Sequence, residues 1–269
     1  MGFLSFLRKS KNVSVIPLNG IIAPNMGRRK GLNLNEIDKN IEQAFSVKNL
    51  KAVALQINSP GGSPVQSEMI SQRIRSLSEK NNVPVLAFIE DVAASGGYWL
   101  ACSADEIFAS KASIVGSIGV VSSGFGFDKA IQKIGVERRL YTSGDNKAIL
   151  DPFLPENKDD VKRLKSIQKE LHSQFIGFVK SRRGSKISVE NKEVFTGAFW
   201  SGEKSLEIGL IDSFGEMKSV LKERFGENVK IREFAPKKKL FGFGNLLSGA
   251  LDILLQKIYE KGILQRFGL

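Results

Sequence analysis

Residues 51–62 read KAVALQINSPGG. The first seven make a short apolar run with β-branched members, and Asn-Ser-Pro-Gly-Gly, good turn chemistry, ends it at once. An apolar run this short, stopped by a turn, is a buried strand. A strand apolar on both faces belongs in a sheet that helices cover on either side.

Its neighbours fit that picture. NVSVIPL (12–18) and VPVLAFI (83–89) read as further strands. Between them NLNEIDKNIEQAF (33–45) puts Leu34, Ile37, Ile41, Ala44 and Phe45 on one helical face, with Asn33 or Asn35 available as cap. A polar helix carrying Met69, Ile70, Ile74 and Leu77 follows the glycine turn. After AASGGY (93–98) come a short helix to about Ser103, strands at EIFAS (106–110) and SIVGSIGVV (113–121), a helix near 127–134 and a strand at VERRLYT (136–142). A long charged helix is expected from Glu156 to about Ser181, then a last α/β segment over about 188–235. Repeated strand-helix-strand units predict an α/β fold with a mostly parallel sheet. The simplest division is a tail at 1–11, one domain at 12–235, and a basic linker with an amphipathic C-terminal helix at 236–269.

Composition bounds the function. Hydrophobic residues at 42% and charged residues at 25% describe a folded globule. The single cysteine, Cys102, excludes an internal disulfide framework and reads as a small buried hydrophobe. No C-x-x-C or H-E-x-x-H spacing suggests a metal. The net charge of +12 favours acidic partners. Nucleic acid lacks any supporting motif, so a basic surface facing a membrane fits better. MGFLSFLRKSK at the start is too short in its apolar part to span a bilayer. LFGFGNLLSGALDILL (240–255) places Leu247, Leu251, Leu254, Leu255 and Ile258 at helical spacing along one face. It reads either as an interfacial membrane helix or as a helix packed on its own domain or a sister subunit.

Two glycine turns, NSPGG (58–62) and SGG (95–97), leave neighbouring strand ends, where ligands of open parallel sheets usually sit. Ser95 in the second is either a turn residue or a nucleophile. The N–H groups of Gly96 and Gly62 would then hold an oxyanion, glycine permitting close approach of a carbonyl. A serine nucleophile needs a base. The only histidine, His172, lies on the long charged helix and reads as a surface or packing residue. A lysine in a desolvated site is the other option, and composition does not choose among the many present. Lys147, in TSGDNKAILDPF, is set apart by the turn before it and the apolar residues after it.

Taken in order, INSPGG, DVAASGGYWLACSADEIFAS, VGSIGV, NKAILDPF and FTGAFWSGEKSLEIGLID resemble the signal peptide peptidase A family of serine peptidases, over about residues 12–225. The resemblance implies a ClpP/crotonase-like fold and a serine-lysine dyad, with no metal or other cofactor. Ser95 falls on the family's nucleophile, Lys147 on its general base, and Gly62 and Gly96 on its oxyanion positions. Ser117 falls in the stretch lining the substrate groove, where its hydroxyl either orients the lysine or packs. The groove is expected to take small or aliphatic side chains of an extended peptide, such as a cleaved signal peptide or another hydrophobic membrane-derived fragment. Family members of this length form rings, so a homo-oligomer is expected, with the dyad completed between subunits. Relatives often carry a membrane anchor or a second tandem domain, neither of which is expected from these residues, and an arginine where this chain has Gln56. The expected location is peripheral on the bacterial cytoplasmic membrane, with the cytoplasm as the alternative. The rival readings are a catalytically silent membrane scaffold and a crotonase-type acyl-CoA enzyme, which shares the paired oxyanion donors but relies on carboxylates.

Overall fold

The computed structural model describes residues 10–25, 31–187, 192–236 and 262–268. Its strands are β1 (Asn12–Asn19), β2 (Leu50–Ser59), β3 (Val85–Ala94), β4 (Glu106–Ala109), β5 (Ile114–Gly116), β6 (Phe199–Ser201), β7 (Ser213–Phe214) and β8 (Lys230–Glu233). Its α-helices are α1 (Leu34–Phe45), α2 (Pro64–Asn81), α3 (Gly96–Ala101), α4 (Asp128–Lys133), α5 (Lys158–Arg183), α6 (Gly202–Glu207) and α7 (Met217–Phe225).

The stretch quoted at the outset is the middle of the sheet. β2 lies between β1 and β3, parallel to both, with Leu55 opposite Ile16 on one side and Ala87 on the other. Successive side chains of a strand point to opposite faces. Val53, Leu55 and Ile57 accordingly join Ile37 and Ile41 of α1 and Ile70 and Ile74 of α2 in the larger core. Ala52 and Ala54 face the other way, into a smaller core with Val13, Val15, Phe88 and Phe108 beneath Val220 and Leu221 of α7. Each fully buried aliphatic side chain contributes about 1.5–3 kcal/mol, which explains why β2 is apolar on both faces. α1 starts where Asn33 Oδ1 accepts from the Glu36 N–H at 3.2 Å, and α2 starts at Ser63 with Pro64 in its first turn.

β3 serves two neighbours. Leu86–Ile89 pair with β4, and Val92–Ala94 pair with β5, both in parallel. Against β2, Ile57 pairs with Ile89 and Ser59 with Ala93, two steps on β2 for four on β3. The extra residues bend β3 and aim its end. The antiparallel β5–β6 pair is the exception in an otherwise parallel sheet.

Two expected strands differ. VERRLYT is irregular and all seven residues are exposed, with Arg138 paired to Asp151 rather than to a neighbouring strand. SIVGSIGVV shortens to Ile114–Gly116 because Gly116 and Ser117 take φ of 118° and 54°, which ends an extended strand. From Gly119 to Gln174 no residue is buried, so this part of the chain extends from the core as an arm, with α4 and most of α5 in it. The C-terminal stretch 240–255 and residues 1–9 lie outside the described residues.

The end of α5 is fastened to the core by charge. Arg183, 3% exposed, donates to Gly209 O and to both carboxylate oxygens of Asp212. Asp212 also accepts from Lys186 Nζ and from the Ile107 N–H of β4. Burial works against ionisation of Asp212, but the hydrogen bonds from Arg183, Lys186 and Ile107 outweigh it and hold the carboxyl below the ordinary aspartate range. Asp212→Asn is expected to destabilise the fold by about 2 kcal/mol, below the roughly 3–5 kcal/mol of a fully buried pair because Asp212 keeps some exposure. A carboxyl depressed in the folded state stabilises at pH values above its unfolded pKa of about 4 and loses that contribution as pH falls through the folded value. Urea denaturation should therefore separate the two proteins at pH 7 and bring them together at acid pH.

Candidate active site

β3 runs directly into Ser95, whose φ of 53° and ψ of −121° lie where side-chain-bearing residues rarely go. Such a conformation costs on the order of 1–3 kcal/mol and persists only where its surroundings enforce it. Here the Ser95 N–H donates to Gly116 O of β5 at 2.8 Å, and Ser95 O accepts from the Trp99 N–H of α3 at 3.0 Å. The residues on either side, Val92–Ala94 and Gly96–Ala101, are buried. Ser95 alone is half-buried, and among the described residues its hydroxyl makes no hydrogen bond. A side chain at Gly97 would run into Ser59 O, so glycine is required there for α3 to close on β2.

The other glycine turn comes up beside it. Gly62 has φ of 145°, and a Cβ on it would collide with Ile22 O. The segment around Ile22 clamps the turn, the Ile22 N–H donating to Gly61 O at 2.9 Å and the Ser63 N–H to Ile22 O at 2.7 Å. A Cβ at Gly61 would lie 2.7 Å from Gly96 N, and one at Gly96 would lie 3.3 Å from Gly62 N, so the two turns are in contact. Among the described residues neither the Gly62 nor the Gly96 N–H has a hydrogen-bond partner. Two free main-chain donors beside an unpaired hydroxyl can stabilise a negatively charged oxygen on a carbon attached to that hydroxyl.

Ser95, Gly62, Ser117 and His172 line one cavity of about 1000 Å3, together with Ile21–Ala23, Val120–Val121, Ile263, Arg266 and Phe267. Gly96 sits just behind this lining, buried. Ser117 donates its N–H to Ala198 O at 2.7 Å, which holds the cavity wall against the residue preceding β6. Phe267 closes one side, buried on Val92 and Ala94 and edge-on to Phe199 at 5.0 Å. Lys147 is elsewhere. It is exposed in the turn at 145–150 of the arm, its N–H on Gly144 O, and it does not line this cavity.

Behind the site, Tyr98 donates to Leu210 O at 2.8 Å, and Cys102 is fully buried. Burial pushes the Cys102 thiol up to about 12, so it stays protonated and unreactive. Among the described residues no His, Cys, Asp and Glu group has the arrangement of a metal site.

His172 is the residue that sequence reasoning passed over. It reaches the cavity from α5, its Nε2 3.0 Å from Ile118 O. Its surroundings in sequence are lysines, and only the fold shows that this helix face returns to the glycine turns.

Residues 78–230 match the family model described as peptidase family S49. The chain is 45% identical over 273 residues to a Brucella abortus protein named Na(+)/H(+) antiporter NhaA, covering 96% of this chain and 37% of that protein. It is 31% identical over 209 residues to protease 4 of Haemophilus influenzae, covering 76% of this chain and 32% of that one. The chain thus spans about a third of the length of these relatives. No helix among the described residues is long and apolar enough to cross a membrane. Among solved structures, a lysine-to-alanine variant of the membrane-bound stomatin-specific protease 1510-N, in complex with a substrate peptide, superposes with a TM-score of 0.54 at 17% identity. That alignment covers 86% of this chain and 95% of the other, and the two share their fold, the ClpP/crotonase-like α/β arrangement expected from the sequence. With its model matched from α2 to the start of β8, the chain belongs to peptidase family S49.

Proposed function

We propose that this chain is a serine endopeptidase in which Ser95 attacks a peptide carbonyl, the N–H groups of Gly62 and Gly96 hold the resulting oxyanion, and Lys147 of a neighbouring copy is the general base. The observation carrying this reading is the Ser95 hydroxyl lining the cavity with Gly62, and Gly96 directly behind it, the hydroxyl and both glycine N–H groups having no partner among the described residues. Family membership supports hydrolysis of peptides over acyl-CoA chemistry, and so does the lack of a carboxylate among the described residues lining the cavity.

Lys147 takes the proton from Ser95 Oγ, the oxygen bonds to the scissile carbon, and the lysinium returns the proton to the departing amine. Water then releases the acyl group by the same steps in reverse. The substrate binds extended, by main-chain pairing along the cavity wall, with small or aliphatic side chains against it. Cleaved signal peptides and other hydrophobic fragments leaving a membrane fit that wall. The basic surface supports peripheral contact with anionic lipid, and residues 12–235 form the peptidase domain.

The exposed position of Lys147 supports completion by a second copy. The arm bearing it exposes Val121, Phe125, Ile134 and Tyr141 at 68%, 81%, 74% and 90%. Apolar surface of this extent on one arm marks an interface, and a homo-oligomeric ring would cover it while burying the lysine of one copy near the serine of the next.

Ser95→Ala should lose at least about a thousandfold in turnover of a fluorogenic peptide and all labelling by a serine-directed acylating probe. Mixing inactive Ser95→Ala and Lys147→Ala proteins should restore roughly a quarter of the wild-type rate by random pairing around a ring. No recovery on mixing places the base within the serine's own chain. Ile134→Asp should shift sedimentation toward monomer and lower turnover at least about tenfold, while far-UV circular dichroism stays that of the wild type.

A further inference from the structure

We infer that His172 is a positioning residue of the substrate groove, acting through the carbonyl of Ile118. The inference rests on the peptidase reading of the Ser95 cavity. It concerns a residue outside the proposed dyad and oxyanion pair.

The wall of the cavity is the chain that leaves β5. Gly116 takes the Ser95 N–H, Ser117 gives its own N–H to Ala198 O, and the Gly119 N–H folds back on Ser117 O at 2.9 Å. Beyond Gly119, the next backbone hydrogen bond donated along the described chain is from the Phe127 N–H to Pro152 O. Val120 and Val121, which line the cavity, therefore stand on a stretch that makes no hydrogen bond of its own among the described residues. The last tie before it to another element of the fold is the bond from His172 Nε2 to Ile118 O, across 54 positions of sequence.

The anchor is itself firmly mounted. Phe175 and Phe178, next along the same stretch of α5, stack on Trp99 of the nucleophile's own helix at 4.8 and 5.0 Å. His172 thus transmits the position of α3 to the wall facing Ser95. Ile118 as a whole residue is fully buried, so its carbonyl requires a donor from within the protein. Because the partner is a carbonyl, Nε2 carries the proton. That ring nitrogen is committed to the wall and is not a base for Ser95.

An extended peptide that pairs with the wall needs its main-chain groups at fixed spacing from the nucleophile, and a displacement of about 1 Å is enough to cost binding or rate. Removing the tie should therefore weaken peptide binding while leaving the proton-transfer groups in place. The test compares wild type, Ser95→Ala, His172→Phe and His172→Gln on an extended fluorogenic peptide, with melting temperatures recorded for each. Phenylalanine keeps the ring volume without the donor, and glutamine restores an N–H donor. His172→Phe is expected to raise KM about three- to tenfold, the worth of one hydrogen bond, with a smaller change in kcat. His172→Gln should bring KM most of the way back, even if its melting temperature matches that of His172→Phe. A wild-type KM in His172→Phe, a loss confined to kcat, or equal defects in both variants overturns the inference and leaves the peptidase reading intact. Hydrolysis that survives Ser95→Ala overturns both.

Discussion

The hydrogen bond from the Ser95 N–H to Gly116 O joins the two strands whose ends make the cavity, and the site's geometry follows from it. It holds Ser95 in a backbone conformation that no extended or helical residue shares, at the point where β3 stops and α3 begins. The strain is offset nearby. Tyr98, Leu100 and Ala101 on α3 are fully buried, and Trp99 is stacked between two phenylalanines of α5. A turn so enclosed cannot relax without opening the core, so the hydroxyl remains pointed at the cavity.

From the same bond the chain divides into two mechanical parts. Up to Ile118 nearly every residue near the site is tied to the sheet, and from Gly119 to Gln174 none is buried. The nucleophile and the free N–H donors belong to the first part and Lys147 to the second. A serine held by the sheet and a lysine on an exposed arm fit the proposed dyad when a second copy supplies the missing half, because covering the arm would desolvate the amine and favour its uncharged form. Catalysis would then be coupled to assembly, and an isolated chain would carry an attack site without a base.

Much of the sheet was legible in the sequence because buried parallel strands have a compositional signature. KAVALQI and VPVLAFI are apolar on both faces, and the structure buries both faces. The buried α1 face followed from spacing, and of the two cap candidates, Asn33 and Asn35, the structure uses Asn33. VERRLYT was misread for a different reason: Val136, Tyr141 and Thr142 are strand-favouring residue types, but the segment lies on the exposed arm, where no described strand pairs with it. The two glycine turns could be found as turns, whereas their contact depends on the Ile22 segment, a long way off in sequence. His172 was illegible for the same reason. A histidine among lysines on a charged helix looks solvated until the helix is seen to return across α3.

The chain carries two possible nucleophiles within eight residues, and their surroundings decide between them. A thiol is intrinsically the better nucleophile once ionised. Cys102, however, ends α3 in the core, fully buried beside Tyr98, and burial pushes it up to about 12. At neutral pH it therefore stays a thiol, with no surface exposed to solvent. Ser95 begins the same helix facing the cavity, and among the described residues its hydroxyl and the two N–H groups beside it have no partner. The weaker nucleophile is the one placed where a carbonyl can approach and where the charge that forms on its oxygen is met by donors already in position. Chemistry at this site is selected by access and preorganisation, with intrinsic reactivity secondary.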